Sequence, residues 1–172
     1  VVIGCKDPYE KVCGKGIKIL VNAGAQVIEG VLEDQAKELI YPFRTHILNK
    51  RPFIHLKWAQ SSDGFMGLVG EQTAITDPLT SFVNHKIRAE SDAILVGSQT
   101  LKTDNPSIDN RLYPGPSPIK IIIDRKGSFE ISKLRAHKSK GRLIVFTADA
   151  NARNDEKVNF HLLKGSNSGE QL

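Results

Sequence analysis

The feature that most limits what this chain can fold into is the alternation of short apolar runs with helix-like or polar stretches. From Pro52 onward, the runs FIHLKWAQ, DAILVG, IKIIIDR and RLIVFT each read as a strand. Apolar runs such as Ile119 to Ile123 suit strands covered on both faces, as parallel sheets require. A helix-like segment from about Pro78 lies between the first two. It has a clear start, because Asp77 can cap it and Pro78 fits the first helical position, and Leu79, Phe82, Val83 and Ile87 share one face. Strand and helix in alternation define an α/β protein with a mainly parallel sheet.

The first fifty residues carry the same alternation on a smaller scale. VVIG reads as a strand, GIKILVNAG as a short helix closing on Gly24, AQVIEGV as a strand, and LEDQAKELIYPFRTHILNK as a helix. In that helix Leu32, Ala36, Leu39, Ile40, Phe43 and Ile47 recur at helical spacing, which predicts a buried stripe, and Pro42 should kink or divide it. The polar Asn49-Lys50-Arg51-Pro52 is the expected boundary, giving units 1–50 and 51–172. Both ends read as interior sequence: the chain opens inside an apolar run, and Asn167-Ser168-Gly169-Glu170 has capping-box spacing ahead of a further helix.

Charge and cysteines narrow the partners. A net charge of +5 suits nucleic acid, anionic lipid or a phosphorylated small molecule. Lys and Arg are scattered singly apart from KLRAHKSKGR, and one Trp with three Tyr gives few stacking platforms, so the small molecule is favoured over nucleic acid. No run approaches a membrane span and the start is not a signal peptide, so no membrane partner is expected and the cytoplasm is the expected compartment. Cys5 and Cys13 lack companions for a zinc site and are expected to be buried thiols.

Candidate chemistry sits in the loops after the apolar runs. Ser61-Ser62-Asp63-Gly64 can meet a ligand or form an ordinary Asp-Gly turn. Gly97-Ser98-Gln99-Thr100 with Asp104, Asn105 and Arg111 can orient a polar ligand, the guanidinium forking onto phosphate, or Asp104 and Asn105 can simply build a turn beside a solvated Arg111. Arg88 is either a second anchor or a partner of Glu90 or Asp92. Arg125 and Lys126 can neutralise a cofactor phosphate or end a strand in an ordinary turn. His55, His85 and His161 show no spacing that pairs them with a metal or nucleophile, and G-x-G-x-x-G, P-loop, HExxH and GxSxG patterns are absent.

Three stretches taken together carry more: DPYEKVCGKG at Asp7–Gly16, KWAQSSDGFM at Lys57–Met66, and RAESDAILVGSQTLKTDNPSIDNR at Arg88–Arg111. In this order they resemble the bifunctional deaminase/reductase family of riboflavin biosynthesis, over nearly the whole chain to about Ala150. The resemblance implies the C-terminal edge of a cytidine-deaminase-like domain followed by the first part of a dihydrofolate-reductase-like domain. It also implies NADPH as cofactor and a phosphoribosylated pyrimidine as substrate, reduced from ribose to ribityl. Thr100 and Asp104 match cofactor-contacting positions, Ala59 a cofactor-lining position and Arg125 a cofactor-proximal one. Arg88, Ile108 and Arg111 match substrate positions. Gln72 and Ala74 stand where some members have a substrate-contacting Ser and a cofactor-packing Trp, a local departure.

The family's zinc motifs would precede Val1, and a Gly-rich cofactor loop would follow Leu172. Zinc is thus expected only upstream, a homo-oligomer only in the full-length protein, and the chain taken alone is expected to be inactive, with sheet edges that limit its solubility. Two other readings stay open on the residues alone: a free-standing dihydrofolate-reductase-like enzyme acting on another pteridine or pyrimidine, and a non-catalytic nucleotide- or RNA-binding module.

Overall fold

The computed structural model describes residues 1–68, 73–149, 151–154 and 156–163, and within them the chain divides into two compact units, Val1–Lys57 and Trp58–Leu172. The capping box expected at Asn167–Glu170 lies outside the described residues.

In the first unit, β1 (Val2–Ile3) pairs in parallel with β2 (Ile28–Glu29) around α1 (Lys15–Asn22), in register Val2 to Ile28. Gly4, just after β1, passes close to the helical stretch that follows β2, since a Cβ there would stand 2.6 Å from that of Ala36. The long helix expected over Leu32–Lys50 is two: α2 (Glu33–Leu39) and α3 (Tyr41–Asn49), with Pro42 in the first turn of α3. Proline has no N–H to give the preceding turn, so the chain restarts instead of bending. The expected stripe is not buried. Leu32, Leu39 and Phe43 are exposed, Ala36, Ile40 and Ile47 half-buried, and Thr45 is the buried residue of α3. Two strands of two residues are too small a surface to cover that face. The cysteines differ from expectation as well: Cys5 is half-buried and Cys13 exposed, in the turns that lead into α1.

The second unit is organised by four parallel strands in sequence order: β3 (Ala93–Gly97), β4 (Ile119–Asp124), β5 (Leu143–Thr147) and β6 (Val158–Leu162). Leu95 pairs with Ile121, Ile121 with Ile144, and Ile144 with Asn159. The α/β class with a parallel sheet is therefore the one the sequence led us to expect, and β6 is an addition that the reading above had not marked. Before the sheet comes α4 (Pro78–Ala89), and its cap is as expected: Asp77 Oδ1 accepts the Thr80 N–H at 2.6 Å. That bond holds the Asp77 carboxyl below its ordinary value.

Three expectations from Pro52 onward fail. The strand FIHLKWAQ has no ladder partner among the described residues and is irregular, with Leu56 75% exposed. The loop after β3 is helical in its first half, α5 (Ser98–Asp104), because Leu101 is drawn into the core at 2% exposure. The strands are not covered on both faces. Lys120, Ile122 and Asp124 of β4 are buried, whereas Ile119, Ile121 and Ile123 are only half-buried.

The core therefore lies on one side of the sheet. Ile122, Leu143, Val145 and Val158 meet Leu101, Ile108, Leu134 and Ala136 from α5, the segment after it, and α6 (Arg135–Lys138). Each fully buried aliphatic side chain contributes about 1.5–3 kcal/mol. Lys120 lies inside the apolar run of β4 and reaches out of the core to the end of α6. Among the described residues no helix is long and apolar enough to cross a membrane.

Candidate functional site

The last turn of α4 and the segment after α5 together build a cavity of about 260 Å³. Arg88, Asp104, Ile108 and Arg111 line it, joined by Thr73, Pro106, Ser107 and Arg135. Three guanidinium groups against the Asp104 carboxylate leave the lining net positive, which favours an anion.

Local sequence explains how the arginines come together. Asn105 takes the left-handed conformation (φ 38°) that ends α5, and Pro106 forbids the helix to continue. The side chain of Asn105 is used too, its Oδ1 accepting the backbone N–H of Arg135 at 3.0 Å and so fixing the start of α6 beside the cavity. Ile108 is 3% exposed and has φ 54°, a left-handed conformation that disfavours a β-branched residue. Such a conformation persists only where the surroundings over-determine it, and it clusters at binding sites.

The chain then doubles back past α4. Arg88 Nη1 donates to the carbonyl oxygen of Asp109 at 3.0 Å, and Arg111 Nη1 meets Asp109 Oδ1 at 2.6 Å. Asp109 thus holds one arginine through its backbone and the other through its side chain. Burial, and then the neighbouring Arg111, lower the Arg88 pKa from its ordinary value. An arginine keeps its charge under any physiological condition, so the effect is a poorly hydrated cation ready for an anionic partner. Glu90 pairs with Lys86 at 3.8 Å, so it is not the partner of Arg88.

The buried Asn110 pins the following turn, its Nδ2 donating to the carbonyls of Tyr113 (2.8 Å), Gly115 and Pro116 (both 3.3 Å). His85, one helical turn before Arg88, places Nδ1 3.1 Å from the Arg111 amide.

Four of the residues anticipated from sequence are therefore brought together: Arg88, Asp104, Ile108 and Arg111. Thr100 lies one turn before Asp104 on α5 and is exposed. Ala59 is half-buried and Ala74 exposed, both in irregular segments, and Arg125 is exposed in the turn after β4; none of these four lines the cavity. Gln72 lies outside the described residues. Ser61, Asp63 and Gly64 form a closed turn, in which Gly64 has φ 87° and donates its N–H to the Ser61 carbonyl at 2.9 Å. His85 and Arg135 were missed. The His-x-x-Arg spacing of His85 and Arg88 was the available signal for the first, because residues three apart share a helix face. For Arg135 there was only its place in a basic cluster.

Comparison with known proteins decides the family. The family model of the RibD C-terminal domain matches residues 52–164. The chain belongs to this family. It is 36% identical to the riboflavin biosynthesis protein RibD of Aquifex aeolicus over 97% of its own length and 49% of that protein. With the RibD of Chlamydia pneumoniae the identity is 35%, over 86% of the chain and 40% of that protein. Among solved structures, a diaminohydroxyphosphoribosylaminopyrimidine deaminase/5-amino-6-(5-phosphoribosylamino)uracil reductase of Thermotoga maritima superposes with TM-score 0.85 at 39% identity. It is covered to 47% of its length by 95% of this chain. Acinetobacter baumannii RibD superposes with TM-score 0.79 at 27% identity, over 96% of this chain and 48% of its own length. The chain thus spans about half the length of the relatives it matches.

Among the described residues no three His, Cys, Asp or Glu side chains converge as metal ligands, and Cys5 and Cys13 are free thiols. The residues present do not fit zinc.

Proposed function

We propose that this chain forms the substrate-binding part of a riboflavin-biosynthesis reductase, one that converts 5-amino-6-(5-phosphoribosylamino)uracil to its ribityl form. In this reading residues 1–50 are the C-terminal edge of a cytidine-deaminase-like domain, and the parent protein also carries the pyrimidine deaminase with its zinc. The observation that carries the reading is the convergence of Arg88, Arg111 and Arg135 in one cavity over the strained Ile108. A ribose phosphate is the part of such a substrate that three arginines would recognise, and membership of the RibD family supplies the chemical context.

NADPH is the proposed cofactor, and when bound it supplies the hydride. The donor set suits a nicotinamide nucleotide: the Thr100 hydroxyl and the Asp104 carboxylate, one turn apart on α5, for ribose or carboxamide groups, and Arg125 for a phosphate. This chain's own residues hold the substrate phosphate and so fix where the sugar lies, which is the orientational part of catalysis.

Calorimetric titration with ribose 5-phosphate tests the reading. Binding should weaken about 10- to 150-fold in Arg111→Ala, the loss of one charge-assisted hydrogen bond of about 1.5–3 kcal/mol. Unphosphorylated ribose should not compete. Equal affinity for ribose and ribose 5-phosphate would refute the reading.

A further inference from the structure

His85 has no place in the reading above, yet it is among the most enclosed groups beside the cavity, at 4% exposure. Its Nδ1 lies 3.1 Å from the amide nitrogen of Arg111, whose hydrogen points at it, and 3.3 Å from Asn110 Oδ1. Its Nε2 lies 3.5 Å from Arg88 Nη1. Asn110 cannot turn over to offer a donor, because its Nδ2 serves three carbonyls and its Oδ1 accepts the Tyr113 N–H at 3.3 Å. The Arg111 N–H assigns the lone pair to Nδ1 and the proton of the neutral ring to Nε2, which leaves the ring without a hydrogen bond to Asn110 Oδ1 or Arg88 Nη1.

We propose that His85 is a positioning residue for the anion site: as a neutral imidazole it docks the Arg111 backbone onto α4 so that Arg88 and Arg111 face one ligand, and protonation of the ring undoes that dock. The proposal rests on the cavity being a phosphate site. Arg88 follows His85 by three residues on the same helix face, so a single turn of α4 fixes one arginine by its own backbone and the other through the ring.

A second proton, on Nδ1, would take Asn110 Oδ1 at 3.3 Å as its acceptor and end the bond from the Arg111 N–H. The imidazolium would stand against the Arg88 guanidinium. The charged groups facing the ring are Arg88 from α4 with Asp109 and Arg111 from the returning segment, and the one carboxylate among them is already paired with Arg111. Burial first, then Arg88, lower the ring's pKa below its ordinary 6.5. The site is thus intact near neutrality, and anion affinity is lost as pH falls through that lowered value.

Inorganic sulfate is the suitable probe, because it stays a dianion over about pH 5 to 8, where histidine titrates. Its affinity for the whole chain should fall on the acid side by up to about tenfold per pH unit below the ring's pKa, with circular dichroism confirming the fold at each pH. His85→Asn places an amide oxygen near the position of Nδ1 and cannot titrate. It should bind sulfate within about threefold of the parent chain at neutral pH and lose the acid-side fall. His85→Phe should lose about tenfold or more at neutral pH, and if it does not fold, the Asn variant decides alone. An acid-side fall that persists in His85→Asn, while Arg111→Met has lost binding, overturns the role of His85 and leaves the phosphate reading standing. Undiminished sulfate binding by Arg111→Met overturns the phosphate reading itself and this proposal with it.

Discussion

Replacing Lys120 should separate two effects that usually travel together, the filling of a core and the burial of a charge. Lys120 is fully buried in β4 at 0% exposure. Its ammonium donates to the Ala136 carbonyl, to the Ser139 carbonyl at 3.2 Å and to Ser139 Oγ at 2.9 Å, which uses all three of its hydrogens. Ser139 Oγ in turn donates to the Ser107 carbonyl at 2.7 Å, so the lysine ties α6 to the segment lining the cavity.

In Lys120→Ala the lost volume costs about 2–5 kcal/mol, as for other long buried side chains cut to alanine. The Ala136 and Ser139 carbonyls both lose their ammonium partner, a further cost of about 1–3 kcal/mol each, since the one hydroxyl hydrogen of Ser139 is already on the Ser107 carbonyl. Against both stands relief from desolvating an ammonium, several kcal/mol, which leaves a net loss of about 2–5 kcal/mol. Lys120→Met keeps the volume, loses the same hydrogen bonds and gains the same relief, so the last two offset and it should lie within about 1.5 kcal/mol of the parent chain.

The pH dependence has a definite sign. Burial is the first cause that lowers the Lys120 pKa from 10.5. The unfolded chain therefore binds this proton more tightly than the folded one, and folding bears the penalty in full below the folded pKa. The penalty fades as pH rises towards the unfolded value, so the parent chain should gain on Lys120→Met between neutrality and about pH 10. Urea titrations of the three proteins measure this directly. Equal stability of the Ala and Met variants, or a parent-to-Met difference unchanged across that range, would refute the reasoning.

Other outcomes follow from the same geometry. Asn105→Ala should lose about 1–2 kcal/mol in urea titration, since alanine tolerates the left-handed conformation poorly and leaves the Arg135 amide without its acceptor. Arg88→Lys keeps the charge but cannot both hold the Asp109 carbonyl and fork onto an anion. The affinity for ribose 5-phosphate should drop about tenfold by calorimetry while the melting temperature moves by only a few degrees. Unchanged affinity would mean that Arg88 serves the fold and not the ligand.

How much of this could be read beforehand depended on how local each cause was. The start of α4 was legible because Asp77 and Pro78 act within one turn, and β3, β4 and β5 because their apolar residues are contiguous. The helix α5 was hidden, since Ser98–Asp104 is polar except for Leu101, and its burial is decided by a sheet that lies elsewhere in the sequence. FIHLKWAQ has the composition of a strand, but a strand also needs a neighbour, which no local pattern supplies. In the cavity, Arg88 and Arg111 could be anticipated and Arg135 could not, because its position depends on a bond to Asn105 thirty residues away. The contact of His85 with Arg111 spans twenty-six. The stripe of α2 and α3 shows the converse: periodicity reveals which face is apolar, and says nothing of what covers it.

The order of the sheet, β3-β4-β5-β6, bears on how the second unit is made. Among the described residues each strand after β3 pairs with the one synthesised just before it, so β4, β5 and β6 each find a partner already made. Parallel sheets fold slowly when their partners are distant, because the intervening chain must be closed before any contact rewards it. Here assembly can proceed as translation does, from Ala93 towards Leu162, with α5 and α6 laid down between successive strands. The half-finished sheet then has one growing edge at a time, and the Asn105 and Lys120 ties that shape the cavity close only when α6 has emerged.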